Sequence, residues 1–190
     1  MAAGTEFHFD VHLFDLRAGL LPDLVLTFGQ LLHEGIGPGR GKADLLSVEP
    51  SSIRVSLDAE AEPVDRCQVQ FVTPTELKSA SRPEFSALFG RLRDRLSTLR
   101  SLYGRGPLEV DFRGMGERAE KVKMTRCDVR TVEVDRRSGK TGQVHGIGGF
   151  VGVAEYQGEL AEFLPYLRAG RWVGVGRHTV WGNGEIEVEV

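Results

Sequence analysis

The residues best suited to chemistry lie near the C-terminus, in Gly174-Val175-Gly176-Arg177-His178-Thr179-Val180-Trp181-Gly182-Asn183-Gly184, a G-x-G-x-x-x-x-x-G-x-G pattern. Glycines at this density let a backbone approach a ligand closely and aim N–H groups at phosphate, with Arg171, Arg177 and His178 as further donors. This is not a dinucleotide fingerprint. That motif joins a strand to a following helix, whereas this stretch follows a helix and leads into a strand. The same glycines also suit a pair of tight turns around an ordinary hairpin, and spacing alone puts the turns slightly ahead.

Other groups carry weaker signals. Arg40 and Lys42, beside Gly35, Gly37, Gly39 and Gly41, form a second anion-binding loop or simply a solvated helix end. Lys121, Lys123, Arg126 and Arg130 alternate with Val122, Met124 and Val129, which places cations along a sheet edge. Glu117, Glu120 and Asp128 stand close enough to neutralise them on a solvated strand. Gly139-Lys140-Thr141 and Gly41-Lys42 are not P-loops, because Val134 and Ile36 stand where the motif needs glycine and Ala43 replaces its hydroxyl residue. His8, Asp10 and His12 share a strand face, but the two histidines fall roughly 13 Å apart along a strand, so a polar outer face is preferred to a metal site. His33 suits the negative end of a helix. His145 and His178 could move a proton near neutral pH, and no spacing supports a Ser-His-Asp or Cys-His triad. No metal or cofactor is expected.

The whole chain sets the limits on these sites. Its 190 residues allow one large domain or two small ones. With 41% apolar and 27% charged residues, disordered, collagen-like and coiled-coil classes are excluded. Glycine is in excess, 24 residues in clusters. No apolar run is long enough for a membrane helix and the start lacks a signal-peptide pattern, so a cytoplasmic protein is expected. Cys67 and Cys127 read as buried reduced thiols. Residues 1–65 hold 4 Lys/Arg and 11 Asp/Glu, a net −7, and residues 66–190 hold 20 and 16, a net +4, which together make the −3 of the chain. Between Phe163 and Gly184, Arg168, Arg171, Arg177 and His178 meet no carboxylate in sequence, so a positive patch on an acidic protein is expected.

The elements that must hold these residues follow from periodicity. Phe7, Phe9, Val11 and Leu13 alternate as in a half-buried strand, and Leu21, Leu24, Val25, Phe28, Leu31 and Leu32 fall at helical spacing up to Gly35. Residues 43–49 and 53–57 read as short strands, and the acidic stretch 58–65 as a linker. Gln68–Val72 is a strand; Ser81-Arg82-Pro83-Glu84 is a capping box before a helix whose stripe is Phe85, Leu88, Phe89, Leu92, Leu96, Leu99 and Leu102. Val122–Val134 is a strand with a bulge near Arg126, where the apolar parity changes. Residues 136–140 form a turn, and His145–Tyr156 a glycine-broken strand. Leu160, Phe163, Leu164 and Leu167 predict a short helix that Pro165 kinks or restarts, and Glu185–Val190 a last strand. Residues 66–190 thus read β-α-β-β-α-β, an α+β, ferredoxin-like domain, preceded in residues 1–65 by a partial second unit of the same kind. The half unit either leaves a sheet edge to be completed or packs on the second segment as an extension of one core.

Together these pieces resemble the CRISPR repeat-processing endoribonucleases of the RAMP superfamily. The likeness rests on Phe71-Val72-Thr73-Pro74-Thr75 before a long helix, Gly37-x-Gly39-Arg40-Gly41, Gly149-Phe150-Val151-Gly152 and, most specifically, the terminal glycine pattern. It implies tandem ferredoxin-like folds that hold CRISPR repeat RNA, and a metal-independent cleavage in which a ribose 2'-hydroxyl attacks the adjacent phosphate. Gly174, Gly176, Gly182 and Gly184 carry over as the RNA-contacting loop, with Arg171, Arg177 and His178 beside it and Arg40, Lys42, Lys121, Lys123 and Arg126 as weaker phosphate contacts. The family's general acid/base histidine usually lies in the first β-α unit of the N-terminal fold, and residues 6–49 look like that fold's last strand, helix and strand. No catalytic residue therefore carries over. The resemblance then implies a fragment or shortened form, a binding remnant or assembly subunit working with other CRISPR-associated subunits, or a different histidine in the role. A ferredoxin-like small-ligand module whose glycine loop is only turns is the reading of a different class.

Overall fold

The computed structural model describes residues 4–14, 20–37, 39–78, 82–137 and 142–190, and the backbone but not the side chains of Arg136, Arg137 and His145. Ser81 of the expected capping box, the turn residues 138–140 and the side chain of His145 lie outside the described residues. The chain divides into two compact units, Met1–Ser52 and Ile53–Val190.

In the first unit, α1 spans Leu20–Glu34, as the apolar spacing predicts. The strands expected at 7–13, at 43–49 and, in the second unit, at 53–57 do not form. A strand needs a ladder partner, and a lone extended segment gains too little to hold one. The period-two alternation nevertheless has an effect. Phe7 and Phe9 lie on the same side, 6.4 Å apart between ring centroids, and Phe9 meets Phe28 of α1 at 5.5 Å. The glycine stretch after α1 closes as a tight loop, with paired backbone bonds between Ile36 and Gly41.

The second unit contains β1 (Arg66–Thr75), α2 (Phe85–Tyr103), α3 (Phe112–Ala119), β2 (Lys123–Val132), β3 (Asp135–Arg137), β4 (Val144–Gly146), β5 (Gly149–Gln157), α4 (Leu164–Val173) and β6 (Ile186–Glu189). Its main sheet has the order β2-β5-β1-β6, all antiparallel, the ferredoxin-like arrangement. The short β3 and β4 form a separate two-stranded ribbon. Alternation on β1 sends Cys67, Val69 and Phe71 inward, matched in register by Tyr156, Ala154 and Gly152 of β5. Against this face packs an aromatic cluster: Phe85 lies 5.2 Å from Tyr156 and 5.3 Å from Phe163, and Phe89 lies 4.6 Å from Phe163 and 5.5 Å from Tyr166.

Several boundaries differ from the periodicity. Pro165 neither kinks nor restarts a helix; it sits in the first turn of α4, where its missing N–H leaves no bond unmade, and α4 runs on to Val173. Leu102, counted in the α2 stripe, is 67% exposed because the helix outruns the core. The helix α3 has no counterpart in the sequence reading. Asp111 caps it by accepting from Gly114 N, and Met115 and Ala119 are buried, but Gly114 and Gly116 dilute the helical signal. The bulge in β2 falls where parity predicts, between Met124 and Arg126.

Burial on the inner face pushes the Cys67 thiol up to about 12, and raises the hydroxyl of Tyr156, which donates to Pro83 O at 2.5 Å. Both groups hold their protons more tightly folded than unfolded, so the stability they contribute is complete below the unfolded thiol range and is lost as pH rises. Urea stability is therefore expected to be flat from pH 7 to about 8.5 and then to fall, at about 1.4 kcal/mol per pH unit for each group that is still protonated in the fold but ionised in the unfolded chain, first the thiol and above about pH 10 the phenol as well. A midpoint unchanged to pH 11 contradicts this burial.

Candidate nucleic-acid interface

The glycine-rich stretch between α4 and β6 is built onto the end of β1. Gly184 N donates to Pro74 O at 3.1 Å, Arg177 N to Glu76 O at 3.0 Å, and Glu185 N to Thr73 Oγ1 at 2.9 Å. Val175 N closes the loop on Gly184 O at 2.8 Å. Within the loop, a single 3₁₀ turn spans Thr179–Trp181, with Trp181 N bonded to His178 O at 2.9 Å. Asn183, almost fully buried, donates through Nδ2 to Ile147 O at 2.6 Å and so ties the loop to the start of β5. At the loop's other end, Arg95 of α2 donates to Val173 O at 2.5 Å, a cation capping the C-terminus of α4.

All four glycines carried over from the resemblance have positive φ, from 68° at Gly174 to 88° at Gly182. At three of them space is also limiting. An added Cβ would lie 2.0 Å from Val175 O at Gly184, 2.4 Å from Glu76 O at Gly176, and 3.1 Å from Thr179 Cγ2 at Gly174; at Gly182 it would meet nothing within 4 Å. Gly176 thus serves close packing of the loop on the end of the strand, and Gly174 and Gly184 close packing of the loop on itself. This corrects one expectation: the N–H groups of Val175, Arg177 and Gly184 point at protein oxygens and not outward to an anion. What the loop offers outward is side chains. Arg177 is exposed, as are Val180 and Trp181, and His178, in the left-handed conformation at φ 62°, stacks on Trp181 with centroids 5.0 Å apart and planes 7° off parallel.

The patch without carboxylates in sequence has them in space. Arg168 pairs with Glu60, Arg171 Nη1 with Glu187 Oε1 at 3.4 Å, and Arg177 Nη1 with Glu76 Oε1 at 2.8 Å. His178 Nε2 lies 3.5 Å from Glu76 Oε2. The sequence window missed these because every partner comes from another segment. On β2, the bulge puts Lys123, Arg126, Asp128 and Arg130 in register with the outward residues Gln157, Glu155, Val153 and Val151 of β5. Arg126 pairs with Asp128 at 2.5 Å and Glu155 at 3.2 Å, whereas Lys121, Lys123 and Arg130 are exposed and make no ion pair among the described residues. Arg40 and Lys42 are exposed in the first unit. A cleft of about 400 Å³ lined by Glu76, Glu133, Asp135, Thr131 and Gly148 is acidic and unsuited to a polyanion. Among the described residues no group of three or more His, Cys, Asp or Glu is placed to hold a metal, and no helix is long and apolar enough to cross a membrane. Glu76 and Asn183 were not singled out by the sequence, since their partners lie 101 and 36 residues away.

The chain matches the family model described as CRISPR-associated endoribonuclease Cas6 over residues 69–186, from β1 to the start of β6. Among solved structures, it is similar to Thermus thermophilus Cas6, with 21% identity and a TM-score of 0.52, over 68% of this chain and 55% of that one. A Cas6 product complex aligns at 18% identity and TM-score 0.64 over 92% and 72%, and a second at 23% and 0.55 over 92% and 74%. At these identities the likeness is one of fold, and in the first alignment this chain spans about half the length of its relative. No curated protein matches the sequence.

The packing predicts a sharp ranking of glycine substitutions. Gly184→Ala and Gly176→Ala are expected to cost about 3 kcal/mol or more by urea unfolding, since a Cβ meets backbone oxygen. Gly182→Ala should cost only the left-handed strain, about 1–2 kcal/mol. Equal losses at all three positions would contradict this packing.

Proposed function

Because the chain belongs to the CRISPR-associated endoribonuclease Cas6 family, we propose that it binds CRISPR repeat RNA in the processing of precursor CRISPR RNA, with the loop 174–184 gripping the backbone. The observation that carries this reading is the extent of the family match, which takes in β1, the loop and the start of β6, the segments that build the site. Arg177 and His178 supply the grip on the loop, and Arg171 extends it toward β6. Lys121, Lys123 and Arg126 form a second group of phosphate contacts on and beside β2; the bulge supports this by setting Lys123 and Arg126 on one sheet face. Arg40 and Lys42 belong to the first unit and act, in this reading, as an additional contact.

The reaction class that goes with this reading is transesterification. The 2'-oxygen forms a bond to phosphorus as its proton leaves, the bond from phosphorus to the 5'-oxygen breaks, and that oxygen takes up a proton, leaving a cyclic phosphate. No acid or base is assigned among the residues here. The loop's role is positioning, holding the backbone while charge on the phosphate develops.

Binding through phosphates implies a salt dependence. Arg177→Ala is expected to weaken binding of a repeat RNA several-fold and to reduce the slope of log K against log salt by about 0.7, the value for one single-stranded phosphate contact. Binding that ignores salt and survives Arg177→Ala would contradict the reading. A cleavage assay in chelator, scored for cyclic-phosphate ends, separates a nuclease from a binding subunit: product supports cleavage, and retained binding without product supports the non-catalytic reading.

A further inference from the structure

Glu76 stands just beyond the end of β1, beside the loop, and its two carboxylate oxygens are divided between the side chains of Arg177 and His178. Oε1 lies 2.8 Å from Arg177 Nη1 and Oε2 lies 3.5 Å from His178 Nε2. That is how two non-bridging oxygens of a phosphodiester would be received by the same pair. We propose that Arg177 and His178 form a preformed phosphate cradle, that Glu76 occupies it as an internal stand-in, and that an RNA phosphate displaces the Glu76 carboxylate on binding. The inference rests on the RNA-binding reading above and adds a residue that tunes its affinity.

Three observations support an exchange over a permanent structural bond. First, the backbone of the cradle does not depend on the carboxylate. Arg177 is pinned through its backbone N–H to Glu76 O at 3.0 Å, and the His178 ring is held by stacking on Trp181. If the Glu76 side chain swings away, the Arg177 backbone and the His178 ring stay, and the guanidinium is released to an incoming anion. Second, the bond being exchanged is weak. The Arg177 and Glu76 side chains are 59% and 34% exposed, and the separation from His178 is too long for a tight hydrogen bond. Third, the bonds that carry the loop are backbone bonds from residues 175, 177, 184 and 185, none of which uses a carboxylate. A carboxylate on the two donors closest to an anion site lowers affinity for every polyanion, so it favours RNAs that engage enough other contacts to displace it.

The test compares wild type, Glu76→Gln, Arg177→Ala and the double variant Glu76→Gln/Arg177→Ala. Glutamine keeps the shape and an acceptor for Arg177 but removes the charge. Glu76→Gln is expected to tighten repeat-RNA binding by up to about fivefold, the scale of one exposed ion pair, with the protein still folded by urea titration. In the double variant the gain should vanish. Inorganic pyrophosphate, titrated by calorimetry, probes the cradle without RNA and should likewise bind Glu76→Gln more tightly than wild type. Weaker or unchanged binding of both probes by a folded Glu76→Gln protein overturns the inference, assigning Glu76 to positioning Arg177 or to neither role. If no variant binds RNA but Glu76→Gln gains pyrophosphate affinity, the cradle stands and the RNA-binding reading falls. A gain that persists in the double variant also overturns the inference, since it would be a general charge effect.

Discussion

The hydrogen bonds between the end of β1 and the loop before β6 are the constraint on which the rest of the site depends. A strand that ends at Thr75 leaves backbone oxygens with no ladder partner, and buried carbonyls must be satisfied. The loop supplies the donors, Gly184 to Pro74 and Arg177 to Glu76, while Glu185 reaches the hydroxyl of Thr73. The loop can approach the end of the strand that closely only where no Cβ intervenes, which is why Gly176 faces Glu76 O, while Gly184 faces Val175 O and lets the loop close on itself. With the backbone so placed, Arg177 and His178 emerge side by side and Trp181 stacks beside them. The pairing of Arg177 and His178 is a consequence of backbone accounting.

The electrostatics follow from the same folding. Charge is segregated along the sequence and mixed in space: arginines of α4 and the loop meet glutamates from positions 60, 76 and 187. A protein of net charge −3 gains from this, because unpaired cations gathered on one face would repel one another in the absence of ligand. Exposed pairs hold weakly enough for a polyanion to compete for them. Around the pairs, Lys121, Lys123 and Arg130 remain unpaired among the described residues and can extend a phosphate track along β2.

Much of this was legible in the sequence, for physical reasons. Strand β1 announces itself through the Thr73-Pro74-Thr75 that ends it, β5 as a glycine-broken apolar run, and the β2 bulge through a change of parity, because the pleat turns pattern directly into facing. The glycine pattern marked a loop, and spacing alone put tight turns slightly ahead of a ligand site. Density cannot tell a glycine that admits a ligand from one that admits neighbouring backbone; only the atoms opposite its missing Cβ decide that. Strands at 7–13 and 43–49 failed for a different reason: alternation reports which face is apolar but says nothing of whether a partner strand exists. The neutralised patch and Glu76 were invisible because ion pairs between separate segments, two of the three about a hundred residues apart, leave no local trace.

The most direct measurement of the central claim, that RNA is gripped at the loop seated on β1, is photo-crosslinking of a repeat RNA carrying 4-thiouridine, followed by mapping of the crosslinked tryptic peptides. The account predicts crosslinks in the peptides spanning residues 172–177 and 178–190. Crosslinks confined to α2 and α3, with none in those two peptides, would contradict it.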